Sequence, residues 1–241
     1  MNSEFSSGQS VSVILPTMNE ELAARKVISD IQHELPDAEI IVIDSSSDKT
    51  AEIAKELGCV VLKQFPSKGQ DLAMIEGFKI ASREIIVTLD CDDTYPVESI
   101  KPLLKLIAAG YDVASASRLG CRPKTMPFSN YVANKLLVWM AWIICGVRST
   151  DIHTGMRAYR RDLFLKFPFC QTGRAALAVE LQVGPMCTGY RCAEINITYH
   201  SRIGESKLHR LDSTFWTLKR LWRWRWFAND ERKSLMRSVM P

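Results

Sequence analysis

An α/β domain with a mostly parallel sheet and helices on both faces is the fold class this sequence predicts. Three observations lead there. Short apolar runs of strand type alternate with helical patterns through the first ninety residues, and parallel strands need such crossover helices. Asn19, Asp44 and an acidic cluster at Asp90 each fall just past a strand end, where ligands bind in such sheets. The 241 residues have ordinary apolar and charged content, enough for one large domain with its own core.

Val11 to Leu15 reads as the first strand, stopped by Pro16, and a helical pattern runs from about Glu20 to Leu35. Glu39 to Ile43 is the second strand, ended by the polar cluster Asp44 to Asp48. Residues 50–57 form a short helix closed by Gly58, where a left-handed cap favours glycine. Val60 to Leu62 is a third strand, Leu72 to Ser82 a helix and Ile85 to Leu89 a fourth strand. After Gly110 the alternation fades. Residues 130–147 and 174–188 read as helices, and Glu194 to Tyr199 alternates like a half-buried strand. No repeat or low-complexity linker divides the chain. The expected organisation is a disordered start at 1–10, one domain at 11–210 and a basic amphipathic tail at 211–241.

Charge is uneven. Residues 201–241 hold ten Lys/Arg against four Asp/Glu, a net of +6, so the rest carries −2 of the total of +4. Seven scattered cysteines form no C-x-x-C pair and no zinc spacing with the histidines, and no signal-peptide pattern precedes Val11. Reduced thiols in the cytosol are the expectation. Leu136 to Val147 is the longest apolar stretch. As a helix it spans about 18 Å, short of the roughly 18 to 20 residues a spanning helix needs.

"LDCDDTYP" (Leu89 to Pro96) sets three carboxylates at the end of a buried strand. Their repulsion is costly unless a cation or donors occupy the site. In an extended segment Asp90 and Asp92 point the same way and Asp93 points elsewhere. Hard carboxylate oxygens suit Mg²⁺ or Mn²⁺ bridging to substrate phosphates. By itself the motif reads first as an acidic cap on the helix after Pro96, with Asp93 or Thr94 as N-cap.

Its company narrows the reading. "ILPTMNE" (Ile14 to Glu20), "EIIVIDSSSDKT" (Glu39 to Thr50), "SKGQDLAMIEG" (Ser67 to Gly77) and "LDCDDTYP" occur in that order. Ser117-Arg118, "DIHTGMRAYRRDLF" (Asp151 to Phe164), "AVEL" (Ala178 to Leu181) and "EINITYHSRIGESKL" (Glu194 to Leu208) follow. Together they resemble family-2 glycosyltransferases of the GT-A (Rossmann-like) fold, and the last string resembles the dolichol-phosphate mannosyltransferase branch. The loop after Asp44 departs from the family pattern, being one residue shorter and lacking its glycine.

That resemblance implies roles. Pro16, Asn19 and Glu20 would line the nucleotide crevice, Asp44 would lie near base and ribose, and Lys68 and Gly69 would border the nucleotide. Asp90 and Asp92 would hold Mg²⁺ or Mn²⁺ on the donor diphosphate. Arg118, Arg202, Ser206 and Lys207 would contact phosphates of donor or acceptor. Asp92, Asp151 and Glu180 make up the implied catalytic set, with Asp151 or Glu180 as base if the acceptor is a hydroxyl. The implied reaction moves a hexose from a GDP-mannose or UDP-glucose type donor, with inversion, to polyprenyl or dolichyl phosphate. A soluble or glycan hydroxyl acceptor is the alternative, and an inactive membrane-associated scaffold is the reading from another class.

The tail sets Leu211, Phe215, Leu218, Trp222 and Trp226 on one helical stripe flanked by Lys219, Arg220, Arg223 and Arg225. Trp beside basic residues suits a membrane interface; the alternative is a stripe packed on the domain. The expectation is a peripheral protein on the cytoplasmic face of a membrane, alone or with a small membrane-embedded subunit. No nucleic-acid module accompanies the Arg/Trp tail, so nucleic acid is not an expected partner.

Overall fold

The computed structural model describes residues 10–120, 122–166, 177–203 and 210–239. The chain opens with β1 (Val11–Thr17), α1 (Glu21–Glu34), β2 (Glu39–Asp44), α2 (Thr50–Glu56), β3 (Val60–Lys63), α3 (Gln70–Ile80) and β4 (Ile85–Thr88). A 3-10 turn at Val97–Ser99 leads into α4 (Ile100–Ala108), β5 (Val113–Ser117) and α5 (Phe128–Cys145). Then come β6 (Arg157–Arg160), α6 (Arg161–Lys166), α7 (Leu177–Cys187), β7 (Cys192–Asn196) and α8 (Arg210–Val239). The expected disordered start, Ser10 apart, lies outside the described residues, as do Ser206 and Lys207.

The seven strands form one sheet in the order β3-β2-β1-β4-β6-β5-β7. Pairings β1–β2, β1–β4, β2–β3 and β5–β7 are parallel, and only β6 runs antiparallel to its neighbours. Buried side chains make a core on each face. Val27, Ile28 and Ile31 of α1 and Leu103, Leu104 and Ile107 of α4 cover one side. Phe78 of α3, Leu137 of α5, Val179 of α7 and Leu221 of α8 cover the other. In α1 the buried positions 23, 24, 27, 28 and 31 follow the helical period, one apolar face toward the sheet.

Pro16 does not stop β1, which runs to Thr17. Leu89 N–H donates to Ile14 O on the β4 side, and Ser45 N–H donates to Thr17 O on the β2 side. By alternation Pro16 faces β4, whose strand ends at Thr88, so its missing N–H leaves no ladder bond unmade.

Strands β5 and β6, unseen in the sequence, are buried yet weakly apolar: Val-Ala-Ser-Ala-Ser and Arg-Ala-Tyr-Arg. A polar network satisfies them. Ser115 Oγ donates to Gln182 Oε1 at 2.5 Å, Arg157 Nε to the same oxygen at 3.2 Å, and Arg157 Nη2 to Ile152 O at 3.2 Å. The final strand sits two residues earlier than its alternation indicates, at Cys192–Asn196, where it pairs with β5.

Helix α8 lies against α5 and α7. Thr217, Arg220, Leu221, Trp224 and Ala228 recur at helical spacing and are buried, Trp224 being 1 % exposed. Phe215, Trp222 and Trp226 face outward, the last two 56 % and 72 % exposed. Of the expected stripe these three are therefore off the packed face, Leu218 packs against the core, and the Leu211 side chain lies outside the described residues. Arg220 and Arg223, expected to flank it toward a membrane, instead reach the fully buried Glu180. Arg220 stands three residues from Thr217 and four from Trp224, on the packed face, and Arg223, three residues further on, borders it.

Candidate active site

Because β1, β2 and β4 are parallel, Thr17, Asp44 and Leu89-Asp90 emerge at one edge of the sheet. Asp44 is fully buried there. It accepts from Thr17 Oγ1 at 2.9 Å and Ser46 Oγ at 2.5 Å, and pairs with Lys63 Nζ at 2.9 Å. Lys63 closes the strand beside β2, a role that only strand pairing reveals. Asn19 takes a left-handed backbone, φ +54°, which Asn tolerates better than most residues. Its N–H donates to Ser46 Oγ at 2.7 Å, its Oδ1 accepts from Ser47 N–H, and Glu20 N–H donates to Thr50 Oγ1. Asn19, Glu20 and Asp44 thus fix the loop that follows β2. Lys68 is exposed beside Gly69, whose φ of +92° opens α3. The next residue, Gln70, donates its amide to Asp90 Oδ1 at 3.1 Å.

Past β4 the three aspartates separate. Asp93, at φ +61°, turns to Lys26 of α1, 2.7 Å away. Asp92 is buried; its Oδ1 accepts from Thr94 N–H and Oγ1, and its Oδ2 lies 2.5 Å from Arg202 Nη2. That contact lacks hydrogen-bond geometry, so Oδ2 is a buried acceptor without a hydrogen bond. Burial and then the Asp92 charge push the Asp90 carboxyl up to about 6.

A basic wall adjoins Asp90 and Asp92. Arg118 grips Asp151 with two bonds, Nε to Oδ2 at 2.7 Å and Nη2 to Oδ1 at 3.0 Å, and lies over the Tyr199 ring. Burial alone would raise the Asp151 carboxyl, but Arg118 outweighs it and holds the group at about 2. Asp151 also accepts from the His153 and Arg118 N–H groups. It fixes its own loop and keeps Arg118 in place. The Arg202 segment is tied across the acidic loop, His200 N–H to Thr94 O and Ile203 N–H to Asp92 O. Burial lowers the His153 imidazole to about 4, and its Nε2 lies 2.9 Å from Thr217 Oγ1 of α8.

These walls enclose a cavity of about 580 Å³. Asp90, Arg118, Arg202 and Tyr199 line one side, while Asn130, Ala133, Asn134 and Leu137 of α5 line the other. Pro16, Asn19, Glu20, Asp44, Lys68 and Gly69 lie outside its lining, as do Asp151 and Glu180. Gly155 packs on Asp90: a Cβ there would stand 2.9 Å from Asp90 Oδ2, and its N–H donates to Tyr95 Oη at 2.6 Å. Gly155, Tyr95, Gln70 and Tyr199 carried no assigned role in the sequence, although each lies in or beside a quoted motif. Glu180 is turned to α8, its Oε1 lying 3.3 Å from Arg220 Nη1 and 2.5 Å from Arg223 Nη1.

The paired carboxylates fit a hard divalent cation. They offer only oxygen, one atom is a buried acceptor without a hydrogen bond, and a glycine keeps the space beside Asp90 open. Among the described residues no group of three or more His, Cys, Asp or Glu could hold a metal unaided. A cation here would need substrate oxygens to complete its shell.

Similarities to known proteins agree with this geometry. The family model for glycosyl transferase family 2 matches residues 12–167. A dolichyl-phosphate hexose transferase of Haloferax volcanii is 39 % identical over 200 residues, 82 % of this chain and 86 % of that protein. A polyprenol monophosphomannose synthase of Mycolicibacterium smegmatis is 28 % identical, across 81 % of this chain and 80 % of its own. The crystal structure of glucosyl-3-phosphoglycerate synthase from Mycobacterium tuberculosis, in complex with Mn²⁺, UDP-glucose and phosphoglyceric acid, has a TM-score of 0.72 at 21 % identity. It covers 90 % of this chain and 80 % of that one, and the likeness is one of fold. Fold and family together define a glycosyltransferase of the GT-A class. The chain belongs to glycosyl transferase family 2.

Proposed function

We propose that this enzyme transfers a hexose, with inversion, from a nucleotide-sugar of the GDP-mannose or UDP-glucose type to a polyprenyl or dolichyl phosphate. One observation carries the lipid acceptor: α5 is at once a cavity wall and an exposed apolar face. Asn130, Ala133, Asn134 and Leu137 line the cavity, while Phe128, Val132, Leu136, Trp139 and Ile143 face out at 4-4-3-4 spacing. Phe215, Trp222 and Trp226 of α8 are exposed as well. Aromatic and apolar side chains exposed on helices with basic neighbours suit a bilayer interface. No helix among the described residues is long and apolar enough to cross a membrane. The proposed setting is peripheral, at the cytoplasmic surface. The relatives named for dolichyl-phosphate and polyprenol-phosphate sugars support the same acceptor class.

In this reading Asp90 and Asp92 hold Mg²⁺ or Mn²⁺, which would neutralise charge growing on the leaving diphosphate. Asn19, Glu20 and Asp44, with Pro16, Lys68 and Gly69, shape the nucleotide side of the same sheet edge. Arg118, kept in place by Asp151, and Arg202 face the cavity as phosphate-binding cations; Ser206 and Lys207 complete that set in the proposal. A phosphomonoester, with a second pKa of about 6, is already dianionic near neutrality and needs no base. The ion pairs of Asp151 and Glu180 support structural roles for both. The test is nucleotide release from a panel of nucleotide-sugars with Mn²⁺, with and without a short-chain polyprenyl phosphate. Acceptor-dependent release with one donor is expected. Release driven only by hydroxyl acceptors would refute the lipid-phosphate reading, and no release with any donor would favour an inactive scaffold.

A further inference from the structure

Among the described residues, Arg202 is the cation in contact with Asp92, one of the two carboxylates expected to take the metal. Its Nη2 lies 2.5 Å from Asp92 Oδ2 without hydrogen-bond geometry, while Asp92 Oδ1 is already engaged by Thr94. The backbone around it is anchored: His200 N–H bonds Thr94 O, Ile203 N–H bonds Asp92 O, and Thr125 Oγ1 donates to Tyr199 O at 3.3 Å. The guanidinium is partly exposed and lines the cavity. The Asp92 oxygen that Arg202 contacts is the one left open to a cation, since Oδ1 is taken by Thr94.

We propose that Arg202 holds the place of the divalent cation on Asp92 and is released to the acceptor phosphate when that cation binds. The proposal rests on the metal-dependent reading above and adds to it an order of binding. Without metal, Asp92 occupies Arg202 and the phosphate site keeps Arg118 but lacks Arg202. With metal, Asp92 is satisfied by the ion and Arg202 turns to the cavity. Metal and acceptor then favour each other's binding, a coupling that thermodynamics makes reciprocal.

Mn²⁺ titration by calorimetry on the wild type, Arg202→Gln and Arg202→Lys tests the first half. R202Q is expected to bind Mn²⁺ about tenfold more tightly than wild type, within the usual range of coupling between sites, and R202K close to wild type. Equal or weaker binding by R202Q overturns the proposal. The second half uses Asp92→Asn in EDTA, titrated with a short-chain polyprenyl phosphate. Freed from its carboxylate, Arg202 should bind this ligand severalfold more tightly than in wild type, and the gain should vanish in D92N/R202Q. A gain that persists in the double variant overturns the handover, and so does the absence of any gain in D92N, a result that needs no R202Q variant. If wild type binds no Mn²⁺ with either UDP-glucose or GDP-mannose present, the metal reading itself fails. If wild type and R202Q bind it equally, only the handover does.

Discussion

Two corners of this molecule bury carboxylates, and they treat them oppositely. At the α7–α8 contact, Glu180 is fully buried and meets guanidinium groups of Arg220 and Arg223. At the end of β4, Asp90 and Asp92 stand close enough that one raises the other, with a neutral amide on Asp90 and, among the described residues, one poorly aligned guanidinium on Asp92. The first corner is a completed ion cluster that joins a helix to the domain. The second leaves negative charge in excess, which is costly unless a cation arrives. Burial alone does not mark a functional acid; the balance of its partners does.

Neutralising each corner in turn separates the two kinds of acid. Asp92→Asn is expected to lower kcat by about 10³-fold, since a metal stabilises the transition state by several kcal/mol, while the melting temperature holds or rises. Steady-state nucleotide release and thermal melting read both effects. A large loss of stability in D92N would place Asp92 with Glu180 as a structural acid.

Glu180→Gln should do the reverse. Removing one partner of a buried pair costs about 3 to 5 kcal/mol, so denaturant unfolding should shift strongly while the folded fraction keeps its kcat. A mild effect on stability with a collapse of kcat would restore Glu180 to catalysis.

Acid titration sharpens the contrast through signs. Asp90, raised to about 6 by burial and by Asp92, holds its proton more tightly folded than unfolded, where its ordinary value is 3.8. Its contribution to stability is present at low pH and lost as pH rises through 6. His153, lowered by burial to about 4 from 6.5, works the other way: its contribution is full above 6.5 and lost as pH falls toward 4. Melting temperature against pH should therefore lose its downward slope between pH 4 and 6 in Asp90→Asn. His153→Gln should lose the upward slope over 4 to 6.5. Unchanged slopes in both variants would contradict the assignments.

The smallest stability effect belongs to the outer face of α8. Trp222→Ala with Trp226→Ala should change unfolding free energy by no more than about 0.5 kcal/mol per site, as exposed positions do. Flotation with anionic vesicles should nevertheless show weaker binding. Unfolding of this double variant would mean that the exposed face is part of the packing. Trp224, buried between the helices, is excluded from the test because truncating it would cost about 3 to 5 kcal/mol.

Much of the first half was legible in the sequence for a local reason. Strand and helix periods, a glycine cap after α2 and polar residues past strand ends are written in neighbouring positions, so β1 to β4 and α1 to α3 emerge within two residues or so of their expected bounds. The motif order also carries the family. Strands β5 and β6 escaped notice because Ser115 and Arg157 are satisfied by Gln182, some 67 and 25 residues away, and no periodicity announces a buried polar strand.

By itself, then, the sequence determined the α/β class, the shared edge that gathers Asn19, Asp44 and Asp90, and membership of glycosyl transferase family 2. Only the tertiary structure decided which charges are spent on one another. Asp151 meets Arg118 across 33 residues, Glu180 meets Arg223 across 43, and α8 turns Arg220 and Trp224 inward while leaving Trp222 and Trp226 outside. Side-chain period is a property of one segment, but the partner of a buried charge depends on which segments the folded chain brings within a few ångströms.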